Sequence, residues 1–217
     1  QDPSGFLWLG TQDGLVRFDG FEFKVWNRST SPELTSNKIS TLKVSSRGGL
    51  WVGTSEGLYY FDDGAFIAYN EEKSVTEGRV WDIVEDAQGL AWVAIDGGGL
   101  FKISHGKIEK FGTEHGLTSL RVQALALQPS GGLWVGTFGG GLLSFDDGVF
   151  TKIAGDQILG SNHVQSLYVD KRKTLWVGTD GAGLTKYSDG EFRRFTKDDG
   201  FINEEIRVIA EDRSQRL

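Results

Sequence analysis

Three histidines, His105, His115 and His163, are the side chains best suited to act as a base near neutral pH. None stands at metal-ligand spacing: H-x-H and H-E-x-x-H are absent, and there is no cysteine. Neither a metal site nor a cofactor is expected. A phosphate-binding loop is also absent, and the chain is not read as an enzyme. A different set recurs at a fixed interval. Lys38, Arg79, Arg121, His163 and Glu205 stand 41 or 42 residues apart, and two places along lie Ser40, Trp81, Gln123, Gln165 and Arg207. An aromatic face among planar hydrogen-bonding groups suits sugars or small anionic metabolites. Lys38, Arg79, Trp81, Arg121, Gln123, His163 and Gln165 are therefore candidate ligand contacts. Phe138 joins them from a loop position held elsewhere by Gln12, Ser55 and Asp180. The plainer alternative is a solvated rim, with Trp81 packed between repeats and Phe138 folded over its own.

The interval belongs to the whole chain. Ser130 to Phe150 reads SGGLWVGTFGGGLLSFDDGVF: short apolar runs between Gly and Asp clusters, the signature of hairpins. Trp8, Trp51, Trp92, Trp134 and Trp176 head the same text five times, at steps of 43, 41, 42 and 42 residues. Each repeat supplies four candidate strands. The first, a, is Ile39–Val44, Val80–Glu85, Val122–Leu127, Val164–Val169 and Ile206–Glu211. The second, b, carries the tryptophan, expected in the core. The third, c, begins at Leu15, Leu58, Leu100, Leu142 and Leu184. The fourth, d, carries paired apolar residues such as Phe23 with Trp26 and Phe66 with Tyr69; residues three apart on a strand face opposite ways, so both faces must be covered.

Turns of D-x-x-G type, as at Asp2 and Asp86, link a to b. Asp-Gly pairs, which tolerate the positive φ of tight hairpins, link c to d. Short links make each repeat an antiparallel meander, and four-strand meanders at this period are propeller blades. The expectation is an all-β propeller of four-stranded antiparallel blades in a single domain, 1–217, with repeats near 1–38, 39–79, 80–121, 122–163 and 164–205. The last strand, 206–212, would complete the first blade by pairing with Phe6–Gly10, closing a ring of five; an open arc of a larger ring is the alternative. The d-to-a links, 27–38, 70–79, 112–121, 154–163 and 196–205, vary most in text, and variation on a uniform scaffold is where binding is built.

Composition narrows the partners. The 217 residues carry a net charge of −7 with no basic block, which disfavours nucleic acid. No apolar run approaches a membrane span. The chain opens on Gln1 and reads as a mature or excised piece. Acidic turns such as Asp62-Asp63 need no calcium, since turn chemistry accounts for them, and Asn27-Arg28-Ser29 fits a glycosylation acceptor by accident of sequence.

The pattern D-x-x-G-x-L-W-[VL]-G-T-x-x-G-L-x-x-F-D-G-x-F, read off Asp2 to Phe21 and repeated in phase, resembles the two-component regulator propeller repeat. The third repeat departs, with Val93-Ala94-Ile95 for Val-Gly-Thr and Ser104-His105-Gly106 at its turn. The resemblance implies the sensor ectodomain of a bacterial hybrid histidine kinase or diguanylate cyclase, on the periplasmic or extracellular side of the inner membrane. It implies a small-molecule or oligosaccharide ligand at the channel mouth, membrane attachment only through other parts of the parent protein, and room for a homodimer. A protein-interaction scaffold and a propeller lyase similar to streptogramin lyase are the alternatives; the lyase would need His163 as base.

Overall fold

A strand that carries Leu-Trp-Val-Gly-Thr buries Leu and Val on one face and turns Trp to the other, so it must be covered on both sides. The computed structural model, which describes residues 1–69, 78–104 and 106–217, meets that need by stacking antiparallel sheets face to face. The fold is all-β. Two units divide the chain, Gln1–Glu109 and Lys110–Leu217.

In the first unit, β1 (Leu7–Gly10), β2 (Leu15–Phe18) and β3 (Phe23–Trp26) form a three-stranded sheet. A four-stranded sheet follows, of β4 (Ile39–Val44), β5 (Leu50–Thr54), β6 (Leu58–Asp62) and β7 (Ala65–Ala68). The third holds β8 (Val80–Glu85), β9 (Ala91–Ile95), β10 (Gly99–Ser104) and β11 (Lys107–Phe111), whose end runs past the unit boundary. The second unit carries β12 (Val122–Leu127), β13 (Leu133–Thr137), β14 (Gly141–Asp146) and β15 (Val149–Ala154), then β16 (Val164–Val169), β17 (Leu175–Thr179), β18 (Leu184–Ser188) and β19 (Glu191–Phe195). Within every sheet, strands adjacent in sequence are adjacent in space. The d-to-a links hold single turns of helix, Thr113–His115, Asp156–Leu159 and Lys197–Asp199. Three links also sink a leucine into the core: Leu34, Leu117 and Leu159. Most of the link 70–79, and His105, lie outside the described residues.

The glycine of Leu-Trp-Val-Gly-Thr sets how close the sheets come. A Cβ at Gly53 would sit 2.7 Å from Val80 Cβ on the next sheet's inner strand, and one at Gly136 would sit 2.5 Å from Val164 Cγ1. Apolar layers fill the slots on either side of this contact. Leu15, Trp26, Leu50 and Tyr59 pack between the first two sheets. Trp51, Ile83 and Phe101 lie in a second layer, and Leu142, Val164 and Val177 in a third. Burying each large apolar side chain contributes roughly 1.5–3 kcal/mol.

The turns carry the chemistry expected of them. Asp63, Asp147 and Asp189 have φ of 44°, 46° and 53°, each followed by a left-handed glycine. The first hairpin is longer: the Asp19 carboxylate accepts from Phe21 N–H and Glu22 N–H. In the a-to-b turns, Asp2 and Asp170 accept from backbone N–H groups with one oxygen and from the indole N–H of Trp8 and Trp176 with the other.

Three expectations are corrected. Only Trp51 of the five b-strand tryptophans is fully enclosed; the others are half-buried, because the indole reaches the polar rim of the slot. The first sheet has one face open: Phe23 is 65% exposed, and Leu7, Leu9 and Val25 are exposed beside it. Ile206–Glu211 forms no strand, and the first sheet has three. The segment does pack as an inner strand against the fifth sheet. Ile206 N–H donates to Thr179 O, repeating Ile39 to Thr11, and Glu211 accepts from Lys171 N–H as Glu85 does from Ser46 N–H. The ladder from Ile206–Glu211 to Phe6–Gly10 is not among the strand pairings, and a strand without a ladder partner is extended chain only.

Glu85 ties two sheets together. It accepts from Ser46 N–H (2.7 Å), Ser46 Oγ–H (2.5 Å) and Trp51 Nε1–H (2.7 Å). Burial pushes its carboxyl up, but the Ser46 and Trp51 bonds outweigh that and hold it below the ordinary 4.5.

Two outcomes follow for stability. Gly53→Ala or Gly136→Ala should cost about 1–3 kcal/mol through overpacking, although alanine is elsewhere the better strand residue; an unchanged urea midpoint would rule out the close approach. Glu85→Gln should cost about 1–2 kcal/mol at pH 7, the difference between charged and neutral acceptors. Because the folded carboxyl is depressed, its contribution is whole above pH 4.5 and lost as pH falls through the folded value. The gap between wild type and variant should therefore close below pH 4.5 in pH-dependent urea unfolding.

Candidate functional site

Each inner strand carries a bulge near its start. The ladder slips between Ile39 and Thr41, Val80 and Asp82, Val122 and Ala124, and Val164 and Ser166. The extra residues are Ser40, Trp81, Gln123 and Gln165, the positions singled out by the sequence interval. A bulge leaves its residue out of the pairing and re-aims the side chain. Here the result is a set of polar atoms without partners. Trp81 Nε1, Gln123 Oε1 and Gln165 Oε1 are buried and make no hydrogen bond; Ser40 Oγ alone is satisfied, donating to Val80 O at 2.6 Å.

The residue before each inner strand is placed by its own carbonyl. Lys38 O, Arg79 O, Arg121 O and His163 O accept from the N–H of Ser55, Asp96, Phe138 and Asp180, the first residues of the b-to-c loops. That bond sets the side chain of the strand's leading residue beside the loop.

In the second unit it builds a stack. The Arg121 guanidinium lies 4.0 Å above the Phe138 ring, and the His163 imidazole lies 3.8 Å from it, 13° from parallel. Ser119 Oγ–H donates to Phe138 O, and the N–H groups of Gly139 and Gly141 both donate to Asn162 O, so two links clamp the loop. Gly140 has no room for a Cβ, which would fall 2.2 Å from Thr118 Oγ1. β12 and β16 pack side by side, which puts the Gln123 and Gln165 bulges on neighbouring inner strands. Gln165 also hydrogen-bonds Glu205, whose carboxyl is held below its ordinary value chiefly by Arg207, at 2.7 Å.

The first unit holds a smaller version. The Arg79 guanidinium lies 4.1 Å over the Trp81 ring. Lys38 is exposed and makes no ion pair among the described residues. The structure thus joins Arg79 with Trp81, and Arg121 with Phe138 and His163, and sets Gln123 near Gln165. Phe138, a candidate contact from its loop, has Arg121 and His163 against its ring and so bridges two blades. The bulges carry a sequence signal that alternation alone overlooks. Ile39 with Leu42, Val80 with Ile83, Val122 with Leu125 and Val164 with Leu167 are apolar pairs three apart, and both members reach the core only if one extra residue intervenes.

With this geometry, comparison with known proteins is informative. Residues 33–56 and 158–181 match the family model described as two component regulator propeller. The chain is similar to the extracellular domain of a protein assigned as a hybrid two component system in B. thetaiotaomicron, at 27% identity and a TM-score of 0.84, over 98% of this chain and 30% of that one. A second such domain from the same organism is 22% identical, with a TM-score of 0.76, over 94% of this chain and 31% of that one. The chain thus spans about three-tenths of the length of these two structures. A virginiamycin B lyase from Staphylococcus aureus shares the fold at 15% identity and a TM-score of 0.73, over 89% of this chain and 67% of that one. No curated protein sequence matches the chain.

Arg79→Ala and Arg121→Ala should each lower stability by less than about 1 kcal/mol, since an exposed cation over a ring contributes little more. At this chain length that is a melting-point loss of about 2–4 °C or less. A larger loss in differential scanning fluorimetry would make these arginines structural.

Proposed function

We propose that the chain is the ligand-sensing part of a bacterial signal-transduction protein, on the periplasmic or extracellular side of the inner membrane. The ligand is a small molecule or oligosaccharide, held at the bulged starts of the inner strands. The observation that carries this reading is the pair of unpartnered amide oxygens on Gln123 and Gln165. A buried acceptor without a donor costs about 1–3 kcal/mol, and a rim that keeps two is poised for a molecule rich in donors. The likeness to extracellular domains of hybrid two component systems supports a sensor. No catalysis is proposed. A lyase-type base needs a group to orient it, and the His163 ring contact is Phe138.

A second reading, a protein-interaction surface or homodimer, has one observation in its favour. Leu7, Phe18 and Phe23 are cross-strand neighbours, as are Leu9, Val16 and Val25, so one face of the first sheet is a continuous apolar patch, largely exposed. Such patches mark interaction sites.

Gln123→Leu separates the readings. It removes a buried unpartnered oxygen, so the melting point should hold or rise, while affinity for an oligosaccharide or metabolite that raises the wild-type melting point and shifts the Gln123 and Gln165 side-chain amide resonances should fall at least tenfold by calorimetry. Unchanged affinity would remove the rim from the site. No binding across a broad panel, with concentration-dependent mass by light scattering, would favour the interaction surface.

A further inference from the structure

A cavity of about 530 Å³ opens between the first two sheets, at the end where the a-to-b and c-to-d turns lie. Its size is that of a small-molecule site, and the rim described above has no part in it. The corresponding slot between the second and third sheets is bridged by described residues. There Glu85 crosses to Ser46 and Trp51, and Tyr60 and Tyr69 pack on the Trp51 ring at 4.9 and 5.1 Å. In the first slot the place of Glu85 is taken by Val44, which cannot cross. Cross-strand register puts Trp8, Arg17 and Lys24 in one row, where the second sheet has Trp51, Tyr60 and Ile67. Two cations thus occupy positions that the neighbouring repeat gives to apolar side chains.

These cations lie against aromatic walls. The Arg17 guanidinium is 4.4 Å from the Phe6 ring and 5.9 Å from both Trp8 and Trp26; Lys24 Nζ is 4.9 Å from Trp26. Neither forms a salt bridge or hydrogen bond among the described residues, and the Trp26 Nε1–H has no acceptor. The Asp2 carboxylate, which could have paired with them, is taken by Phe6 N–H and Trp8 Nε1–H. Two carboxylates, Asp62 and Asp63, stand exposed on the rim.

We infer that this cavity is a second binding site, for a cyclic hydroxy acid. One acid group would take the donors of Arg17 and Lys24, whose hydrogen-bonding capacity is unspent. The ring would lie along Trp8 and Trp26, and its hydroxyls would donate to Asp62 and Asp63. Those rim carboxylates also repel a second acid group, so the site selects monoanions.

The probe is glucuronate, with glucose as the neutral analogue and benzoate as the acid without hydroxyls. The readout is the set of indole N–H resonances in a ¹H–¹⁵N spectrum of the whole chain. Glucuronate should shift Trp8 and Trp26, whereas glucose should leave them in place and benzoate should bind at least tenfold more weakly. Arg17→Gln and Lys24→Gln should each weaken glucuronate at least tenfold with the remaining indole resonances intact, which shows the fold is kept. Gln123→Leu should not alter glucuronate binding at this cavity, so failure of the rim and failure of the cavity are distinguishable. The inference is overturned if glucuronate shifts neither indole, if glucose or benzoate binds as well, or if Arg17→Gln binds glucuronate like the wild type.

Discussion

The contact between a strand-b glycine and the branched residue that begins the next inner strand governs the rest of the structure. Gly10 meets Ile39, Gly53 meets Val80, Gly136 meets Val164, and Gly178 meets Ile206. Each glycine lets the neighbouring inner strand approach to a distance that no side chain would allow. The approach is what allows Thr11 O to accept from Ile39 N–H, which hydrogen-bonds the first sheet to the second as well as packing them, and Thr179 O to accept from Ile206 N–H, which ties the last segment to the fifth sheet. A repeat of this length therefore specifies two surfaces at once: a small notch on one face, and a branched knob at the inner edge of the next.

The bulge is a direct consequence. The leading residue must point into the notch, while the apolar residue three places on must point into the slot between sheets. On a regular strand these would face opposite ways. One extra residue restores the match, and that residue belongs to neither face of the pairing. The same packing demand that builds the core thus frees one position per inner strand. At Gln123 and Gln165 the freed position carries an amide whose oxygen finds no donor, a loss of stability that a purely structural rim would have avoided with a serine such as Ser40.

Much of this was legible in the sequence. The inner strands Ile39–Val44, Val80–Glu85, Val122–Leu127 and Val164–Val169 have the boundaries that the text of the repeats implies, because Gly and Asp turns punctuate both ends. Ring contacts were not legible. That Phe138 lies between Arg121 and His163 depends on a carbonyl of one link and a loop N–H of another, and neither bond leaves a trace in side-chain types. The cavity between the first two sheets was also missed. Its signal is a comparison across repeats: Val44 where the next repeat has Glu85, and Arg17 and Lys24 where it has Tyr60 and Ile67. Read singly, these are ordinary surface residues of a strand.

That comparison points to how such a scaffold acquires function. In a repeat array each slot between sheets is held by the same few interactions, so most slots hold more than stability demands. The second slot has the Glu85 tie, the stacked Tyr60 and Tyr69, and a closed apolar layer. The first slot keeps the apolar layer and the glycine contact but releases the tie, and Trp8 turns to Asp2 for its hydrogen bond. Loss of a single bridging carboxylate costs about 1–3 kcal/mol, which the shared layer of Leu15, Trp26, Leu50 and Phe61 can absorb. What the exchange leaves is a space lined by two stacked indoles, 5.7 Å apart, and by the cations Arg17 and Lys24. In a fold whose core is repeated, the place to look for chemistry is the repeat that has given up one of its bonds.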